Sequence, residues 1–194
     1  MKKVIWLFTI SLLLVACSEG NSDEENNGIN VEKGKNQVEI TLPADIIEAE
    51  EKDMDEIIAD AEENGIDEVV KNQDGSLTYK MPKEKHEEMM EQLEEQIKNI
   101  METIRGEKYP SIQKAETDES FTEFTVKVDK GSFENSLDGL SVVQLGMGGV
   151  YYQLFNGTKL EEIEVKVFIE NNETNEVIDI FVFPKVLMET ENRK

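Results

Sequence analysis

One stretch, Leu137 to Phe155, limits the folds open to this chain more than any other. Its only charge is Asp138, and Leu140, Val142, Val143, Leu145, Met147, Val150, Tyr151, Leu154 and Phe155 run through it. A segment apolar on nearly every side is a buried helix or a membrane segment. Gln144, Gln153, two tyrosines and the glycines Gly146, Gly148 and Gly149 weigh against a span, so burial is the expectation. Contact with a membrane interface and the lining of a ligand site are the lesser alternatives. Gly146-Met147-Gly148-Gly149 is not a nucleotide fingerprint, because no strand runs into it and that motif's third glycine is missing. Glycines here fit the close approach of a strand or helix. Asn156-Gly157 ends the segment.

The rest of the chain alternates strand and helix patterns. Val38 to Leu42 alternates apolar and polar residues as a half-buried strand does, and Pro43 ends it. Ala44 to Ala49 reads as a helical turn. Asp53 can cap a helix over Met54–Asn64, with Met54, Ile57, Ile58 and Ala61 as its apolar face and Gly65 as its stop. Glu68–Lys71 and Leu77–Met81 read as a hairpin turning at Asp74-Gly75. From Lys83 to Arg105, Met90, Leu93, Ile97, Ile100, Met101 and Ile104 form one helical stripe, expected to pack on a sheet. Ile112–Thr117 and Phe121–Val128 make a second hairpin, with Phe124, Val126 and Val128 pointing to one side. Glu164–Ile169 and Val177–Phe183 make a third, closed by Pro184. The expectation is an α+β fold: a single domain over 37–184, with an antiparallel-dominated sheet of about seven strands and two to three helices on one face. Residues 185–194 read as a frayed tail.

No catalytic constellation emerges from the residue types. His86 is the only histidine, and it stands among Glu84, Lys85, Glu87 and Glu88, where a solvated side chain is expected. No serine sits in a nucleophile elbow, and no zinc-ligand spacing exists. Acid pairs such as Asp53/Asp55 and Glu161/Glu162 are what 43 acidic residues produce by chance. Asp23, Glu25, Asn27 and Gly28 miss the calcium-loop pattern at its third and twelfth positions. The reading therefore has no catalytic, cofactor-binding or metal residues, and the protein is not read as an enzyme.

The start of the chain carries an address. Lys2 and Lys3 precede an apolar run, Val4 to Leu14, that is too short to span a bilayer, which needs roughly 20 residues. The run closes on Leu14-Val15-Ala16-Cys17, and Cys17 is the only cysteine in the chain. This stretch resembles the lipobox of bacterial lipoproteins. The resemblance implies a diacylglyceryl group on the Cys17 thiol and cleavage between Ala16 and Cys17. Stable anchoring takes two acyl chains, and such a cysteine supplies both. Lys2-Lys3, the lipobox and the acidic, cysteine-poor body together resemble small lipoproteins of Bacillus-like Gram-positive bacteria. That resemblance implies a location and no activity.

On this reading residues 1–16 are a signal peptide and 17–36 are a lipidated cysteine and flexible acidic tether. Ser18 to Asn36 is too polar to repay the entropy of ordering. The mature chain then has 18 basic and 43 acidic residues, a net charge of −25. That charge opposes nucleic acid and anionic lipid alike, so the acyl chains must do the anchoring. The expected location is the extracytoplasmic face of the cell membrane. The expected role is a binding module for an envelope protein, peptide or wall polymer. A carboxylate-dependent wall hydrolase and a small solute-capturing lipoprotein are the alternatives.

Overall fold

A computed structural model describes residues 29–44, 47 and 53–185. Among them are eight strands and four α-helices, an α+β fold in which antiparallel pairing dominates. The strands do not form the one sheet of about seven expected from the patterns. They form two four-stranded sheets, in two compact units that meet in sequence at His86 and Glu87.

In the first unit β1 (Asn30–Lys33), β2 (Gln37–Leu42), β3 (Glu68–Lys71) and β4 (Leu77–Pro82) are ordered β1-β2-β4-β3, antiparallel throughout. Strand pairing brings Val38 beside Met81 and Leu42 beside Leu77, and this face is buried. Helix α1 (Met54–Glu63) contributes Ile57 and Ala61 to the core. Asp53 caps it as the sequence predicts, accepting the Glu56 N–H at 2.9 Å. On the opposite face Thr41 and Thr78 hydrogen-bond at 2.9 Å, and Lys80 meets Glu68 at 3.0 Å. Ala44 and Ile47 are helical; the rest of the turn expected over Ala44–Ala49 lies outside the described residues.

Strand β1 corrects the reading of 17–36 as tether throughout. Lys33 pairs with Val38 and Asn30 with Thr41, across a turn in which Gly34 donates its N–H to the Gln37 carbonyl. The segment has little apolar character of its own. A ready-made edge on β2 supplies the partners that its composition does not advertise.

Helix α2 (Lys83–Thr103) begins directly after Pro82, and its first turn closes the first unit. His86 is buried, at 4% exposure, where a solvated residue was expected. The reason is helical spacing. His86 lies one turn before Met90, on the stripe that continues through Ile97 and Ile104, and all four are buried.

The second unit contains β5 (Ile112–Thr117), β6 (Glu123–Val128), β7 (Val165–Asn171) and β8 (Val177–Phe183) in the order β5-β6-β7-β8. β6 and β7 are parallel, so the chain must cross over between them. The crossover carries a short helix, α3 (Lys130–Glu134), and then α4 (Leu140–Phe155), which packs on β7 and β8. The core is Phe124, Val126, Val128, Val165, Val167, Ile169 and Phe183, every one at 0% exposure, under Val142, Leu145 and Val150 of α4. The long apolar stretch is thus a helix with one buried face; Leu137 and Leu140 are exposed at its entrance, Gln144 is exposed within it, and Tyr151, Tyr152 and Gln153 are half-buried.

Two glycines set how near α4 lies to the sheet. A Cβ on Gly146 would fall 2.2 Å from the Phe183 ring, and one on Gly149 would fall 2.5 Å from the Phe121 carbonyl oxygen. Gly148 sits on another side of the helix, with Ile97 at 3.2 Å from the same added atom. Gly146→Ala is therefore expected to destabilise the protein by about 1–3 kcal/mol through overpacking. Gly148→Ala is expected to change stability by under about 1 kcal/mol, because gained helix propensity offsets the tighter contact. Urea unfolding midpoints of the two variants check the contrast. A Gly146→Ala midpoint at or above the parent's contradicts it.

Candidate functional site

The two residues tied to processing, Ala16 and Cys17, lie outside the described residues. The carboxylates that a hydrolase would use can be followed one by one. Asp53 caps α1, and Asp129 caps α3 by accepting the Ser132 N–H at 2.8 Å. Glu161 and Glu162 are exposed on a 3₁₀ turn, Leu160–Glu162. Asp138 is buried, and its Oδ2 accepts the Ser111 N–H at 3.0 Å and the Ser111 hydroxyl at 2.5 Å. This bond ties the entrance of α4 to the start of β5. Among the described residues no group of three or more His, Cys, Asp or Glu side chains is arranged to hold a metal ion.

The densest polar cluster surrounds Asp118 in the β5–β6 turn. Its carboxylate accepts the N–H groups of Thr122 and Glu123 and the Thr122 hydroxyl, each at 2.9 Å, and also the Ser120 hydroxyl. Partial burial pushes its pKa up, but the bonds from Ser120, Glu123 and Thr122 outweigh that and hold it at about 2. The cluster organises a turn in which Phe121 takes a positive φ of 55°. Its donors all face the carboxylate, so it presents no reacting group.

An open cavity of about 220 Å³ lies in the first unit, lined by Ala44, Ile47, Met54, Ile57, Lys71, Gly75 and Leu77. Among the described residues Lys71 is its only charged lining residue, and no opposed polar groups converge on it there.

The end strands and outer face of the second sheet differ from these. Register places Glu116, Thr125, Phe168 and Ile180 in one row across the four strands. The next row runs Glu123, Lys166, Val182. The face therefore grades from charged on β5 to apolar on β8. Lys114–Glu116 at 2.6 Å, Lys127–Glu170 at 3.7 Å and Lys166–Glu164 at 3.0 Å neutralise the charged part. Glu164 also accepts from Lys185 at 2.9 Å, and the bonds from Lys185 and Lys166 hold its pKa at about 2. At the apolar end Ile180 is 47% exposed and Val177 is 45% exposed.

The end strands of the described sheet differ in charge, but both break register. β5 carries a bulge between Ile112 and Lys114 and exposes Lys114 and Glu116. β8 reads Val-Ile-Asp-Ile-Phe-Val-Phe, and its pairing skips Ile178, so that Val177 stands beside Glu170 on the outer face. The Asp179 carboxylate accepts the Ile180 N–H at 2.8 Å. A bulge and a charged residue are devices that protect a sheet edge from added strands. The sequence predicts the hairpin but not which strand ends the sheet. Edge position follows from the parallel β6–β7 pairing, which strand patterns do not encode.

No family model, curated protein or solved structure matches this chain.

The Asp118 turn makes a pH prediction. In the unfolded chain this carboxyl titrates near 3.8, against about 2 when folded, so folding favours its charged form. Its contribution to stability is full well above 3.8 and is lost as pH falls through that value toward about 2. Solvent screening limits it to about 1 kcal/mol. Asp118→Asn should therefore be less stable than the parent at neutral pH, with the gap closing toward pH 2. A gap that does not depend on pH contradicts this account.

Proposed function

We propose that this protein is a lipoprotein anchored on the extracytoplasmic face of the cell membrane, where it acts as a binding module. The observation that carries the anchor is the single cysteine of the chain, Cys17, standing directly after Leu14-Val15-Ala16 behind a basic, short apolar leader. Two acyl chains on one residue give stable attachment without help from protein charge. A net charge of −23 for the whole chain makes such help from anionic lipid unfavourable. The binding role draws support from the exposed apolar side chains of β8, Ile180 and Val177.

Binding is favoured over carboxylate chemistry by the state of the acids. Asp53, Asp118, Asp129 and Asp138 each accept hydrogen bonds that cap a helix or fix a turn or helix entrance. The partner classes in view are an envelope protein, a peptide or a wall polymer.

Cells fed labelled fatty acid test the anchor. The parent chain is expected to take up label and to sediment with membranes, and Cys17→Ser is expected to lose both properties. An unlabelled parent, or a Cys17→Ser chain that still carries label, contradicts the proposal.

A further inference from the structure

We infer that the turn entering α4 is a second membrane contact: Leu137 and Leu140 dip into the interface of the bilayer that holds Cys17. This inference rests on the lipid-anchored reading and adds to it a surface of the second unit.

Among the described residues Leu137 and Leu140 are the most exposed large apolar side chains, at 78% and 66%. They stand at the two ends of one tight turn, in which the Leu140 N–H donates to the Leu137 carbonyl at 3.0 Å. Phe133 of α3 reaches the same turn: its ring lies 3.5 Å from where a Cβ on Gly139 would stand. Single exposed leucines are ordinary; two in one turn beside a phenylalanine are a contiguous apolar patch.

The turn is held in place. Between the two leucines Asp138 is buried and accepts the Ser111 N–H and hydroxyl. The Ser111 carbonyl in turn accepts the Asp129 N–H at 2.8 Å. The backbone that carries the leucines is thus tied to the starts of β5 and α3, so little ordering entropy is lost when it meets a partner. Two residues before Ser111 stands half-buried Tyr109, with the Lys108 Nζ 5.3 Å from the centre of its ring. A tyrosine and lysines around exposed leucines are residue types that settle at the headgroup level.

The anchor and the local charge select the bilayer as the occupant. Twelve residues separate Cys17 from Ile29, the first described residue, which is at most about 40 Å of chain. Such a short link holds an attached surface at an effective concentration on the order of millimolar, where a patch too weak to bind by itself is occupied. Beside the patch exposed Lys108 and Lys130 offset exposed Glu107 and Glu134, and Asp129 caps α3. This corner therefore lacks the acidic excess that sets the chain as a whole, at −23, against anionic lipid. No helix among the described residues is long and apolar enough to cross a membrane, so the contact is interfacial, with the leucines at the boundary of headgroups and acyl chains.

The test uses the full lipidated chain in phosphatidylcholine vesicles. With Cys17 acylated, an introduced cysteine is the only free thiol, so it alone takes a thiol-reactive NBD dye. The control is Glu173→Cys, in the exposed β7–β8 turn. NBD on Leu137→Cys is expected to emit at shorter wavelength than on Glu173→Cys, and to be quenched about threefold more by lipid spin-labelled near the headgroup. Leu140→Ser added to Leu137→Cys is expected to remove most of that quenching. Equal quenching at the two positions overturns the inference, as does quenching that Leu140→Ser leaves unchanged. A blue shift that spin-labelled lipid does not quench, and that grows with the protein-to-lipid ratio, means that a second copy covers the patch and also overturns it. The chain without an introduced cysteine separates the two readings. Dye uptake at Cys17, or failure to float with the vesicles, brings down the anchor and this inference with it. A blocked, floating chain whose Leu137 dye stays unquenched brings down this inference alone.

Discussion

The close approach of α4 to the β7–β8 end of the second sheet is the contact on which that unit depends. Gly146 lies against the Phe183 ring and Gly149 against the Phe121 carbonyl, and neither position has space for a methyl group. This nearness lets Val142, Leu145 and Val150 close over Phe124, Val126, Val165 and Val167 with no exposed remainder. The chain has no disulfide to hold this arrangement, since it has a single cysteine. Packing of one glycine-bearing helix face thus stands in for covalent bracing.

The same helix decides which strand ends the described sheet. A parallel β6–β7 pair needs a long connection, and α4 is that connection. β8 then adds outside β7 as the last strand, beyond the charged ladder of Lys114, Lys127, Glu164, Lys166 and Glu170. A buried inner face and an exposed apolar outer face end up on one strand: Phe183 at 0% exposure points into the core, and Ile180 faces outward. Core packing and exposed apolar surface therefore share a single heptapeptide, Val177–Phe183.

Much of this architecture is legible in the sequence where one residue's local chemistry decides the outcome. Asp53 caps α1, Gly65 follows its end, the alternation of Phe124, Val126 and Val128 sets the inner face of β6, and the uncharged run after Asp138 becomes a buried helix. What escapes the sequence is decided at long range. The split into two sheets depends on β2 choosing β4 and β6 choosing β7, and several strand orders satisfy the same alternation. β1 exists because β2 has a free side, not because Asn30–Lys33 is strongly strand-forming. His86 was legible in principle, one turn ahead of Met90 on a stripe already visible, but its acidic and basic neighbours masked it. The strand that ends the described sheet escapes for the same reason as the sheet order: an edge is a property of topology.

The central claim is that the glycine-bearing face of α4 sets the packing of the β7–β8 end of the second sheet. Amide hydrogen exchange along β7 in the parent and in Gly146→Ala tests it most directly. The account predicts slow exchange through β7 in the parent and faster exchange in the variant. Unchanged protection of β7 in Gly146→Ala would contradict it.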